Sequence, residues 1–353
     1  MELDESHVRQ SSLRGHKAAV NAVSFASETN FATGSDDSTV RVWDLRTQKP
    51  IKCMLGCFSG QAVDSVAFGK NESHCGPVLY TAAGQHIYSF DLRKEGVLDR
   101  QPLHAMRVCA EGSPDTEVEC LGLHPSGDSL LVGDSDGAIT ILDSTSYDVI
   151  AQLSGVHSSV ITSLCIDSPD GHYLLSGALD CSLCKWDLTT GQPAANPVSF
   201  NDLSSRLQHA RGAESEAGLG QMINPPFVHG ASFVCAGQCL LSVNGDGSVN
   251  LFDANSLELL ASARNAHASM IGALHVADYD GSSFFTGGND KVIQAWIVME
   301  EDEGTLALSS IWKLLHAEKI NAISGPLGDR PFDGRSFVVA DTSCEIKVYS
   351  GVV

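Results

Sequence analysis

Short apolar runs interleaved with polar residues recur along this chain, and the alternation has the period of two that a half-buried strand requires. Seven of these runs close on an aromatic or large apolar residue, followed in five cases by Asp. They are TVRVWD at Trp43, HIYSFD at Phe90, AITILD at Leu142, SLCKWD at Trp186, SVNLFD at Phe252, VIQAWI at Trp296 and EIKVYS at Tyr349. The anchors stand 47, 52, 44, 66, 44 and 53 residues apart. Six residues before the anchor an Asp recurs, as Asp37, Asp136, Asp180, Asp246 and Asp290, each in a polar turn where a carboxylate can accept backbone N–H groups. Upstream of the turn lies a second apolar strand (FATGS, LLVGD, LLSGA, LLSVN, FFTGG, FVVAD), and upstream again an alternating strand such as Val20–Phe25. Three antiparallel strands per unit, with a fourth shared with the neighbouring unit, predict a four-stranded blade repeated seven times. The long intervals need only longer loops.

These residues resemble the WD-repeat family, whose units carry Gly-His near the start and Trp-Asp near the end. The first unit has both, as Gly15-His16 and Trp43-Asp44; later units keep the histidine alone, as His157, His267 and His316. The resemblance implies an all-β fold, a seven-bladed β-propeller of WD40 repeats closed by N- and C-terminal strands in one blade. The chain stops directly after the Glu345–Ser350 strand, and His7–Leu13 is expected to supply the missing outer strand. One domain over residues 7–350 follows, with a short tail at 1–6 and a long loop at 201–222 between blades four and five. The resemblance also implies a buried hydrogen-bonded chain of His, hydroxyl, Asp and Trp in each well-kept repeat. Carried over, the first repeat supplies His16, Ser35, Asp37 and Trp43. The fourth has His157, Asp180 and Trp186 with Ala178 in the hydroxyl's place, and the sixth has His267, Asp290 and Trp296 with Gly288 there. On that alignment only one network is complete.

Composition narrows the function. Apolar residues make up 43%, aromatics 7%, and glycines number 33, which suits many short strands and tight turns. Against 43 acidic residues stand 22 basic ones, a formal charge of −21. Direct nucleic-acid binding needs clustered cations, and so does an anionic membrane; neither is expected. A basic peptide target fits the charge, although net charge also serves plain solubility. The N-terminus has no apolar signal region and no run reaches a membrane-spanning length, so an intracellular protein, cytoplasmic or nuclear, is expected. Eleven scattered cysteines then read as reduced packing residues.

Catalytic motifs are scarce. The Asp–His pairs supply two-thirds of a Ser-His-Asp triad, but no Ser stands in a Gly-x-Ser-x-Gly elbow. Cys181-x-x-Cys184 is read as lying on a strand, where residues three apart face opposite ways, and no second pair matches it. Gly218-Leu219-Gly220 lacks the third glycine of a dinucleotide loop. No enzyme, no metal and no cofactor is therefore expected; protein partners are.

The informative motif is Asp-Leu-Arg, closing two consecutive repeats as Asp44-Leu45-Arg46 and Asp91-Leu92-Arg93. At the exit of the third strand both arginines would project from one face, about a blade apart, where a planar fork can pair with carboxylates or carbonyls. This tandem Asp-x-Arg pattern resembles the docking motif of substrate receptors of cullin-4 RING ubiquitin ligases, which implies the damage-specific DNA-binding adaptor as partner. Arg46 and Arg93 would dock it, with Asp44 and Asp91 orienting them. The same arginines also suit an ordinary solvated surface. A peptide or histone-tail reader outside any ligase, using an acidic pore mouth, is the alternative.

Overall fold

The computed structural model describes residues 8–69, 77–108, 115–167, 171–203, 224–277, 282–301, 304–326 and 336–350. Alternating apolar positions fold into seven sheets, antiparallel except for one added edge strand, and within each the first three strands follow the chain outward from an inner strand. Blade one contains Val20–Phe25, Asn30–Ser35, Thr39–Asp44 and Lys49–Leu55. The inner strands of successive blades contact one another around a ring, and the last, Ile320–Ser324, contacts the first. Closure falls where it was expected: Arg9–Arg14 pairs antiparallel with Glu345–Ser350, placing Leu13 opposite Ile346.

Seven apolar clusters fill the seven gaps between adjacent blades, so each sheet buries both faces. This explains why the second strands read as continuous apolar runs rather than alternating ones. At the closing gap Leu13, Val338 and Ile346 pack on Val20, Phe31 and Trp43. Burial of this kind stabilises by about 25 cal/mol per Å² of apolar surface, and a missing outer strand would forfeit one gap's share.

The long intervals are not filled by loops alone. After Asp91 the chain crosses back to blade one, where Leu98–Asp99 pairs parallel with Lys49–Leu55, and only then returns as His104–Arg107 to finish blade two. In blade six the excess is strand: Val292–Glu300 and Leu306–Leu315 form an extended hairpin. The tail at 1–6 and residues 204–222 of the long loop lie outside the described residues. No helix among the described residues is long and apolar enough to cross a membrane.

Candidate functional site

Antiparallel order fixes which chemistry shares a face. Each inner strand begins, and each second-to-third strand turn lies, at one end of the ring; each third strand exits at the other. Three sites follow from this placement.

The first is the buried hydrogen-bonded chain. In blade one Trp43 Nε1 donates to Thr33 Oγ1 at 2.9 Å, that hydroxyl lies 2.8 Å from His16 Nε2, and His16 Nδ1 faces the Asp37 carboxylate at 3.1 Å. The roles run in one direction: indole to hydroxyl, hydroxyl to Nε2, and Nδ1–H to carboxylate. The hydroxyl is therefore Thr33, not Ser35, whose Oγ accepts from Asp37 N instead. Blade four repeats the arrangement with Ser176, which accepts from Trp186 Nε1 at 2.8 Å and stands 2.7 Å from His157 Nε2. In blade six Thr286 accepts from Trp296 and meets His267, whose Nδ1 reaches Asp290 at 3.0 Å. Three networks are complete, not one, because the linking hydroxyl stands ten residues before Trp rather than eight.

The slot held by Ser35, Ala178 and Gly288 has another use. A Cβ on Gly288 would stand 2.6 Å from Asp290 Oδ1 and 2.7 Å from His267 Nδ1. With Ala178 in that slot, His157 and Asp180 are 3.4 Å apart, and the Ser182 hydroxyl bonds both. Burial by itself would raise the Asp180 carboxyl, but the bonds from His157 and Ser182 outweigh it and hold it down to about 2. Asp37 is held still lower against the same burial by His16, Thr39 and Lys17 N–H. Blade seven inverts the ring: His316 Nδ1 meets Tyr349 OH at 2.6 Å and Nε2 meets the fully buried Asp341 at 2.8 Å. Sequence reading missed this fourth network. Its signal was an Asp at the Ser35 position, eight residues before Tyr349.

Ser176, His157 and Asp180 thus share the connectivity of a Ser-His-Asp triad. Ser176 has no exposure and its oxygen already accepts from Trp186, so no carbonyl can approach it. The chain is structural. Cys181 does not lie on a strand; it sits in the preceding turn with φ 63°, and only Cys184 belongs to Ser182–Asp187. Among the described residues no three His, Cys, Asp or Glu side chains gather to hold a metal.

The second site is the third-strand exit face. Asp44 accepts Arg46 N at 2.9 Å and the Thr47 hydroxyl at 3.0 Å. Asp91 accepts Arg93 N, and its two oxygens take Arg93 Nε at 2.9 Å and the terminal nitrogen at 2.7 Å. The Arg93 guanidinium, half-exposed, holds the Asp91 carboxyl down to about 2. Asp143, Asp187 and Asp253 cap the same turn in three further blades by accepting backbone N–H groups two residues on, and each is lowered in consequence. The aspartate is thus a general turn device here; the arginine two residues on is particular to blades one and two.

The third site is the central channel, a cavity of about 420 Å³ lined by the inner strands, with a group of carboxylates at the end where those strands begin. Six inner strands carry a bulge one residue after their start, at Asn21, Glu119, Thr162, His229, Gly272 and Asn321. Burial pushes the Asp64 carboxyl up to about 6, helped by Asp36 and Glu117 nearby. Glu119 is raised by burial and then by Asp64 and Glu117. Asn21 Nδ2 donates to Asp36 at 2.7 Å. Like charges gather here with one amide to separate them.

Seven blades of four or five strands and His–hydroxyl–Trp chains define a WD40-type propeller. Residues 7–44 and 149–187 match the model of the WD domain, G-beta repeat, and residues 78–167 match that of the anaphase-promoting complex subunit 4 WD40 domain. Over those residues the chain carries repeats of the WD40 type. The segments Gly133–Asp143, Ile223–Gly230, Thr286–Asp290 and Val338–Tyr349 resemble WD repeat-containing protein 53. The homolog of that protein from Dictyostelium discoideum is 27% identical over 98% of this chain and 95% of its own length. Eukaryotic translation initiation factor 3 subunit I of Debaryomyces hansenii is 26% identical over 52% of this chain and 54% of its own. In fold, the WD40 β-propeller domain of Doa1 superposes with a TM-score of 0.70 at 15% identity, covering 96% of this chain and 95% of that one.

Proposed function

We propose that this propeller is a non-catalytic docking platform whose third-strand exit face binds the damage-specific DNA-binding adaptor of cullin-4 ubiquitin ligases, making the chain a substrate receptor. The observation that carries the reading is the Asp91–Arg93 fork: both carboxylate oxygens hold one guanidinium, and the turn N–H holds the backbone beneath it. Such an arginine loses little rotamer freedom on binding and still has half its surface to offer a partner. Arg46 stands at the same address one blade away. Partner and target are proteins, and the reduced cysteines suit the cytosol or nucleus.

The test is co-purification of the adaptor with wild type and with the Arg46→Ala, Arg93→Ala double variant. Adaptor held by wild type and lost by the variant is the expected result. If an established receptor retains the adaptor in the same assay and this chain does not, the reading is wrong.

A second reading rests on the acidic cluster at the end where the inner strands begin, where Asp36, Asp64, Glu117 and Glu119 lie within electrostatic reach of one another. A basic peptide, such as a histone tail, would neutralise that repulsion. Its binding should weaken as pH falls through about 6 and Asp64 takes up a proton. Calorimetric titration with a lysine-rich peptide, showing no difference between wild type and Asp64→Asn, would remove it.

A further inference from the structure

Blade one carries a fifth strand that belongs to blade two. Between Asp91 and His104 the chain leaves its own blade: Cys53 N donates to Val97 O, and Leu98 pairs with Cys53 along the outer edge of blade one. Lys52 Nζ, buried, donates to Lys94 O and ties the start of the crossover to the same strand. The crossover is therefore held at both ends, yet it presents Val97 and Leu98 to solvent, 53% and 62% exposed. Two residues back along the paired strand Ile51 is also exposed, because it is the extra residue of the bulge between Pro50 and Lys52. Three large apolar side chains thus share one rim. Ordering them in water is unfavourable without a cover.

The charge around this shelf is opposite to that of the molecule. The whole chain carries −21. Around the shelf Arg46, Lys49, Arg93, Lys94 and Arg100 are exposed. Of the nearby carboxylates Asp44 accepts Arg46 N and the Thr47 hydroxyl, Asp91 is taken up by Arg93, Asp99 is buried 3.8 Å from Lys94, and Glu95 is the exposed one among the described residues of the crossover. Blade three supplies the contrast. There the bulge again exposes an apolar pair, Val149 and Ile150, but no strand crosses to it and the neighbouring turn brings Asp143 and Asp148.

We infer that the Ile51–Val97–Leu98 shelf, with its basic border, is a docking surface for a protein segment that alternates apolar and acidic side chains. Apolar residues of the segment cover the shelf while its carboxylates meet Arg93, Lys94 and Arg100. A protein segment fits better than an anionic membrane: a short peptide reaches the shelf alone, whereas a flat bilayer would also meet acidic surface of a chain that carries −21. The apolar shelf lies outside the adaptor reading, but its basic border shares Arg46 and Arg93 with it, so a bound adaptor would compete for those two arginines.

The test uses the full chain and a short fluorescent peptide of alternating leucine and glutamate, followed by anisotropy. Saturable binding is expected, weakened about tenfold or more by Val97→Asp with Leu98→Asp, and severalfold by Arg100→Ala or by added salt. The Val149→Asp, Ile150→Asp variant should bind as wild type does, and thermal melting of each variant checks its fold. No saturable binding to wild type, equal binding of a leucine–lysine peptide, or equal loss in the blade-three variant would each overturn the proposal. So would phosphatidylserine vesicles binding with the same dependence on Val97 and Leu98. Adaptor co-purification is scored independently, so the two readings fail separately.

Discussion

The two ends of the ring use the same side chain, aspartate, to opposite effect. At the third-strand exits Asp44, Asp91, Asp143, Asp187 and Asp253 lie near water and each accepts N–H groups of its own turn, so every one is stabilised as the anion. At the other end Asp64 has burial and neighbouring carboxylates against it and is pushed up to about 6. Asp37 and Asp180 lie in turns at the same end of the ring but are held low, because each also receives a histidine. Position in the fold alone does not decide the protonation of a carboxylate. What decides is the number of donors aimed at it, set against the solvent it has lost.

The comparison breaks most sharply where a donor chain is cut. Thr286→Val keeps the shape but leaves Trp296 Nε1 and His267 Nε2 buried without their shared partner, a loss of about 2–4 kcal/mol. Urea unfolding should show it, with Thr286→Ser retaining most of the stability. Ser35→Ala, by contrast, should cost well under half as much, since Ser35 is not the linking hydroxyl. Comparable losses at the two positions would restore the original alignment of the network.

Next in size is Asp64. Its folded pKa lies above the unfolded one, so the group opposes folding once ionised, and stability declines as pH rises from about 4 to 6. Asp64→Asn should therefore stabilise at pH 7.5 by about 1 kcal/mol after solvent screening, with the gain vanishing towards pH 4. A gain that persists in acid would point to a packing effect instead.

The sign reverses for Asp91 and Asp180, both held near 2. Their contribution is complete above the unfolded carboxylate range and disappears as pH falls from about 4 towards 2. Carbon-detected NMR of the side-chain carboxyls should place Asp64 and Asp91 several pH units apart. Coincident midpoints would erase the contrast between the two faces. The smallest effect belongs to Asp187→Asn: the amide oxygen still accepts Thr189 N, so melting should scarcely move, while Asp187→Ala should lower it measurably.

Much of this was legible in the residues. The seven anchors and the turn aspartates followed from alternation and spacing, and the split closing blade from the resemblance to the WD-repeat family. The exit turns were half legible: Asp-Leu-Arg drew notice at Arg46 and Arg93, yet Asp143, Asp187 and Asp253 do the same capping without the arginine. The networks were misread by two residues. On a strand, residues two apart share a face, so sequence leaves Thr33 and Ser35 equally placed, and only the reach of His16 from another strand selects Thr33.

The same reasoning separates what each level determined. Local periodicity, turn chemistry and repeat spacing belong to the chain itself, because strands and turns are built from neighbours in sequence; these settled the blades and their number, while the pairing of Arg9–Arg14 with Glu345–Ser350 was expected from the family resemblance. The crossover of Leu98–Asp99 onto blade one, the acidic cluster around Asp64, and the inverted His316 network were decided only in the folded ring. Each depends on residues tens or hundreds of positions apart meeting in space, and no local pattern records which distant edge, charge or ring will be the one that arrives.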